Sequence, residues 1–314
     1  MLHQSENDFF KVVEKLIQSM RTVRKPKTVY NCLTAVRALQ RYLSETTPGF
    51  NGRLPMKRLT SQFFASFERH LLNRGVSLNT CHEYMRSLRS LINRARHQGY
   101  ACRDNLFALV GTGVVPTVKR SLSEDDIRRL CQAEVKEGSR EEQARDCAVF
   151  SYLTGGVPFA DAVRLSKDNY NPQTGELSRR RHKTGVSVTV RLTPEALRIW
   201  NKCQHASTGF LGILADCDKD EQERQYPGLL ASYNRHLKKI ALKCGIRQKL
   251  TSYSLRHTFA TVAHNRYDAD LKTLSMPLGH RSEHITAIYV SQIDSGTLYK
   301  VQLKMEKGVV GRKK

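Results

Sequence analysis

The stretch ALVGTGVVPTVKRSLSEDD, residues 108–126, divides the chain into two parts of different character. Gly111, Gly113 and Pro116 interrupt any helix, and a Ser-x-x-Asp start signal at Ser123 and Asp126 then opens a new one. Before the break the pattern is helical throughout. Phe9, Val12, Val13, Leu16 and Ile17 recur at three- and four-residue steps, with Ser5 and Asp8 placed to start that helix. TVYNCLTAVRALQRYLSE, TSQFFASFERHLLNRG and TCHEYMRSLRSLINRARHQG repeat the periodicity, and PGFNGRLP reads as the loop between the second and third helices. After the break the pattern is mixed. Helices are expected at residues 125–135 and 142–153, and the alternating Val186, Val188 and Val190 after a KTG turn read as a β-hairpin. Further helices are expected at PEALRIWNKC, YNRHLKKIALKCG, SLRHTFATVAHNR, ADLKTLSMPLG and around Tyr289. The expected fold is mainly α with a small β-sheet or hairpin: a helical domain over residues 1–110, a linker at 111–120 and an α+β domain over 121–314.

Charge narrows the function. The 52 Lys and Arg against 29 Asp and Glu leave a formal net charge of +23, spread through RTVRKPK, RSLRSLINRAR, SRRRHK and NRHLKKIALK. Such a spread fits a surface laid along a polyanion better than a mobile basic tail, and points to nucleic acid as the partner. The eight cysteines form no CxxC and no Cys/His pair at zinc-ligand spacing, so they read as reduced thiols and no metal is expected. The N-terminus lacks the pattern of a signal peptide, and there is no apolar run of about eighteen residues, so a cytoplasmic protein without membrane contact is expected.

The chemistry-bearing residues lie late in the chain. TSYSLRHTFATVAH runs from Thr251 to His264, and LGHRSEHITAIY closes on Tyr289, nine residues after His280. A tyrosine in AIYVS alone reads as a half-buried helix residue, and an arginine in SLRH alone as an ion-pairing one. Together with HKTG, however, these stretches resemble the catalytic motifs of the tyrosine recombinases, also called the phage-integrase family. The resemblance covers nearly the whole chain, since SLNTCHEYMRSLRSLINRA is similar to the family's core-binding domain.

The resemblance implies a helical core-binding domain, an α+β catalytic domain and a site made of Arg256, Lys183, His280 and the nucleophile Tyr289. It implies phosphoryl transfer without cofactor or metal. The tyrosine attacks a DNA phosphodiester, leaving a 3′-phosphotyrosyl enzyme and a free 5′-hydroxyl. Arg256 would hold phosphate oxygens through its planar fork, His280 would add a donor, and Lys183 would protonate the leaving oxygen. His257 reads as a support for Arg256. The implied partners are double-stranded DNA, a homotetramer on two DNA sites and accessory DNA-bending proteins. A tail packed into a neighbouring subunit is expected from SGTLYKVQLKMEKGVVGRKK. The chain starts close to the core-binding helices, which favours inversion or resolution over long-range integration.

Two departures stand out. The family's first histidine, three residues before Arg256, is here Tyr253, whose hydroxyl can donate one hydrogen bond. A tyrosine there is similar to a branch typical of Bacteroidetes bacteria. The family's first arginine, carried in a TGLRxxE segment, is missing: TGGVPFADAVRL places Val157 or Pro158 there, and the branch's RGMxFVD pattern would place it at Gly155. Arg145 lies about 16 Å along a straight helix from that point, too far to reach. A reach from Arg145, Arg164 or the stretch Arg179 to Arg181 requires a detail of the fold that the sequence does not give. The absence keeps open a non-catalytic or strongly impaired DNA-binding relative, and an enzyme that is slow or needs a partner subunit; a type IB topoisomerase-like enzyme, which shares the chemistry, is a further alternative.

Overall fold

The computed structural model describes residues 8–23, 26–115, 121–204, 209–280 and 282–289. Ser5 and the expected C-terminal tail lie outside them. The chain forms two compact units, residues 1–117 and 118–314.

The first unit holds four main helices, α1 (Phe9–Val23), α2 (Pro26–Thr46), α3 (Ser61–Asn73) and α4 (Leu78–His97). Asp8 stands in front of α1, where its carboxylate accepts from the backbone N–H of Lys11 and of Leu54, at 3.1 and 2.9 Å. Thr60 and Ser77 cap α3 and α4 in the same way. Each helix turns its apolar stripe inward, so Phe9, Val12, Leu16, Leu39, Phe64, Phe67, Met85 and Leu88 form one core. The opposite side of α4 stays cationic: Arg86, Arg89, Arg94 and His97 line a shallow hollow with Ser90 and Asn93.

The second unit opens on α5 (Glu124–Cys131), started by a complete capping box in which the Ser123 hydroxyl accepts from Asp126 N and the Asp126 carboxylate accepts from Ser123 N. Then follow α6 (Arg140–Leu153), the single turn α7 (Phe159–Ala162), strands β1 (Tyr170–Asn171), β2 (Glu176–Arg180) and β3 (Ser187–Arg191), and helices α8 (Pro194–Gln204), α9 (Lys219–Lys243), α10 (Ser254–Tyr267), α11 (Leu271–Leu278) and α12 (Glu283–Tyr289). The strands form an antiparallel sheet in the order β1-β2-β3. The fold is therefore mostly helical with a small three-stranded sheet. Helix α9 begins fourteen residues before the expected Tyr233, at Lys219; Pro227 and Gly228 in its middle break the sequence signal but not the helix.

Two packing facts position the site. Helix α10 is buried on nearly every side, with Leu255, Arg256, His257, Thr258 and Ala260 all inside. Thr258 fixes it at 2.9 Å to the backbone N–H of Leu122. The hairpin register pairs Leu177 with Val190 and Arg179 with Val188, so one face of the sheet carries both valines and an arginine toward the interior.

Candidate active site

Helix α11 ends on Gly279 in the left-handed conformation at φ 59°, with Gly279 N and His280 N bonded back to Met276 O and Ser275 O. This cap leaves the carbonyls of Pro277, Leu278 and Gly279 facing outward at the negative end of the helix dipole. Three guanidiniums collect there. Arg179 Nη2 donates to Pro277 O at 3.2 Å, and Arg181 Nη1 donates to Leu278 O at 2.7 Å and Gly279 O at 3.3 Å. Arg256 Nη2 also donates to Leu278 O, while its Nη1 donates to Gly156 O at 3.0 Å.

Arg256 is 1% exposed, the largest fully buried side chain described. Its fork passes the loop after α6, where Gly155 and Gly156 adopt φ of 82° and 74°. That loop is closed to larger side chains. A Cβ at Gly155 would stand 2.3 Å from Pro277 Cβ, and one at Gly156 2.9 Å from the Arg256 backbone. Val157 beside them is fully buried among apolar residues.

His280 connects this cluster to α12. A guanidinium can only donate, so Arg256 Nη2, 2.9 Å away, makes His280 Nε2 an acceptor and leaves the ring proton on Nδ1. Nδ1 then donates to Thr286 Oγ1 at 2.9 Å. Ser275 spends its hydroxyl proton on Leu271 O at 2.7 Å, so the 2.6 Å contact between Ser275 and Thr286 has Thr286 as donor. Every direction in the chain is set, and Thr286, fully buried, lies one turn before Tyr289 on the same helix. Of Tyr289 the structure describes the backbone, as the last residue of α12.

Burial, with Arg256 and Arg181 acting in the same direction, holds the His280 pKa down to about 4. In the DNA-free protein the ring is expected to stay neutral with its proton on Nδ1 down to that pH, as ring nitrogen-15 shifts report; protonation near pH 6.5 would contradict the geometry. In the unfolded chain the ring titrates near 6.5, so the stability this group contributes is present above pH 6.5 and falls as pH drops toward 4.

The remaining expected residues are placed as follows. Lys183 is exposed in the turn joining β2 to β3, beside His182, whose backbone N–H donates to Asp161 at 3.0 Å. Tyr253 is 55% exposed at the start of α10, its ring edge-on to His257 with centroids 4.7 Å apart. The structure thus joins Arg256 and His280 directly and sets Lys183 on a projecting hairpin. Arg145 is tied to Glu142, Asp146 and Ala133 O, and Arg164 to Gln222 and Ala160 O with its guanidinium over Tyr226. Neither is described with a bond to Arg256 or His280.

Sequence reasoning missed Asp161, Ser275 and Thr286, and did not separate Arg179 and Arg181 from Arg180. Asp161 is 5% exposed and lies 3.5 Å from both Arg179 Nη1 and Arg181 Nε. Arg179, 3% exposed in its side chain, has its pKa lowered to about 10 by burial, further by Arg256 and Arg181, with Asp161 opposing. Among the described residues no group of three or more His, Cys, Asp or Glu is arranged to hold a metal ion.

Comparison with known proteins decides the family. The pattern described as phage integrase family matches residues 120–295, and that of the phage integrase SAM-like domain matches residues 8–108. The chain belongs to the phage integrase family. Among curated relatives of this integrase-family chain, tyrosine recombinase XerC of Brucella suis biovar 1 is 25% identical over 303 residues, covering 92% of this chain and 91% of the relative. Tyrosine recombinase XerD of Listeria innocua is 25% identical over 228 residues, or 68% and 72% of the two chains. Of solved structures, a lambda integrase dimer bound to a COC′ core site superposes with a TM-score of 0.68 at 17% identity, covering 92% of this chain and 96% of that one. XerH bound to a palindromic difH substrate gives 0.65 at 17%, covering 96% and 84%. At these identities the superpositions establish the fold.

Proposed function

We infer that this chain is a site-specific DNA recombinase that cuts through a 3′-phosphotyrosyl intermediate and exchanges strands by way of a Holliday junction. The observation that carries the reading is the Arg256–His280 pair at the end of α11, joined through Thr286 to the helix that ends in Tyr289. Tyr289 Oη attacks phosphorus, the bond to the 5′ oxygen breaks, and that oxygen takes a proton from Lys183. His280 Nε2, an unprotonated acceptor in the free protein, takes the phenolic proton once the Arg256 fork turns to the phosphate, and then faces the phosphate as a donor. One phosphoester replaces another, so the step reverses at little cost and the strand can rejoin a different partner.

Residues 1–110 form the core-binding domain in this reading, with the cationic side of α4 along the DNA backbone, and residues 121–314 form the catalytic domain. Residues 111–120 link them. The working assembly is four protomers on two sites, supported by a lambda integrase tetramer bound to a Holliday junction, which superposes at a TM-score of 0.67 and 16% identity over 94% of this chain and 79% of that one. Accessory DNA-bending proteins and a cytoplasmic, nucleoid-associated location belong to the same proposal. Among the described residues no helix is long and apolar enough to cross a membrane. The tyrosine at 253 supports placing the chain near the Bacteroidetes branch.

A plasmid carrying two copies of the DNA flanking the gene tests the reading. Inversion or deletion between the copies, dependent on their sequence, is expected. Relaxation of any supercoiled plasmid by the monomer, without exchange, would favour a topoisomerase instead.

A further inference from the structure

Among the described residues, the buried guanidiniums of Arg179 and Arg181 carry more charge than the one carboxylate that faces them. Arg179 and Arg181 share one carboxylate, Asp161, at 3.5 Å each, and Arg256 stands beside them on the same carbonyl, Leu278 O, that Arg181 uses. Taking an unbalanced guanidinium out of water costs several kcal/mol unless an anion completes the site. The two forks converge: Arg181 Nη1 and Arg256 Nη2 lie within hydrogen-bond reach of a single oxygen. Neighbouring guanidiniums so placed match the adjacent non-bridging oxygens of a phosphodiester.

The three consecutive arginines at the end of β2 and just after it divide by alternation. Leu177, Arg179 and Arg181 turn inward, while Arg180 turns out and donates to Gly185 O. Arg179 is the deeper of the inward pair and has Nη1 on Asp161 and Nη2 on Pro277 O. Arg181 is 9% exposed, with Nε toward Asp161 and Nη1 on the end of α11; its Nη2 carries no hydrogen bond among the described residues. Gly279 leaves the space it occupies, since a Cβ there would come within 2.5 Å of Arg181 Cδ. The loop after α6 offers no competitor, being closed at Gly155 and Gly156.

We propose that Arg181 binds the scissile phosphate alongside Arg256, a second guanidinium delivered from the residue that follows strand β2, with Asp161 and Arg179 as its positioning residues. The proposal rests on the recombinase reading for its substrate and deepens it, and its test separates the two.

Arg181→Ala, Arg181→Lys and the outward control Arg180→Ala are compared in two assays, with thermal unfolding reporting folded protein. In the first, inorganic phosphate is titrated into DNA-free protein and the His280 ring signal is followed. The half-saturating concentration is expected to rise at least tenfold in Arg181→Ala, by less in Arg181→Lys, and not at all in Arg180→Ala. In the second, single-turnover formation of the covalent adduct is measured on a nicked substrate. Arg181→Ala is expected to be about 10²–10³-fold slower than the parent on a natural phosphodiester. A methylphosphonate at the cut position, which removes one negative oxygen, is expected to shrink that deficit at least tenfold. Unchanged phosphate response in a folded Arg181→Ala, or an equal deficit on both substrates, would overturn the proposal. Loss of the phosphate response with no adduct from the parent protein would instead support the anion site and contradict the recombinase reading.

Discussion

Arg256→Lys is expected to slow DNA cleavage by about a thousandfold or more, a loss of about 4 kcal/mol of transition-state stabilisation. Lysine keeps the charge but loses the planar fork that reaches Gly156 O, Leu278 O and His280 Nε2 at once. The same change removes the guanidinium donor that Arg256 holds against His280 Nε2. Arg256 is also buried structure, so the rate is normalised to folded protein, with DNA affinity measured beside it at fixed salt. Affinity is expected to fall only a few-fold, because one site residue contributes little beside a charge of +23. A folded Arg256→Lys protein that cleaves within tenfold of the parent would move the transition-state charge to another residue.

Much of the fold was legible because its signals are local. The Ser123 and Asp126 start signal, the apolar stripes of the first four helices and the KTG hairpin all depend on residues a few positions apart. The N-terminal half of α9 was not, since Pro227 and Gly228 read as breakers while tertiary packing of Tyr233, Leu237 and Ile240 carries the helix through. Strand β1, two residues long, has no pattern to read.

The site was legible in part for the same reason. Gly279 and His280 lie close in sequence to Ser275 and Thr286, yet the direction of their hydrogen bonds depends on Arg256, which arrives from another helix. The inward pair Arg179 and Arg181 left a trace that went unread. Val188 and Val190 were already expected on one face, and antiparallel pairing sets Arg179 opposite Val188, with Arg181 two residues further on the same side. What no spacing reveals is that Asp161 and the end of α11 meet that face. The contacts to the end of α11 join segments about a hundred residues apart, and Asp161 arrives from the helical turn before the sheet.

Replacing Tyr289 with phenylalanine removes one oxygen and, in this account, the whole reaction. Nicked duplexes from the DNA flanking the gene let a short strand escape after cleavage and trap the adduct, which denaturing gels separate from free DNA. The parent protein is expected to give a covalent protein–DNA band that survives denaturation and disappears on protease treatment. Tyr289→Phe is expected to give none while binding the same fragments with unchanged, salt-sensitive affinity. A covalent band that persists in Tyr289→Phe, or tight binding by the parent with no band on any fragment, would contradict the assignment of Tyr289 as the nucleophile of a strand-exchanging enzyme.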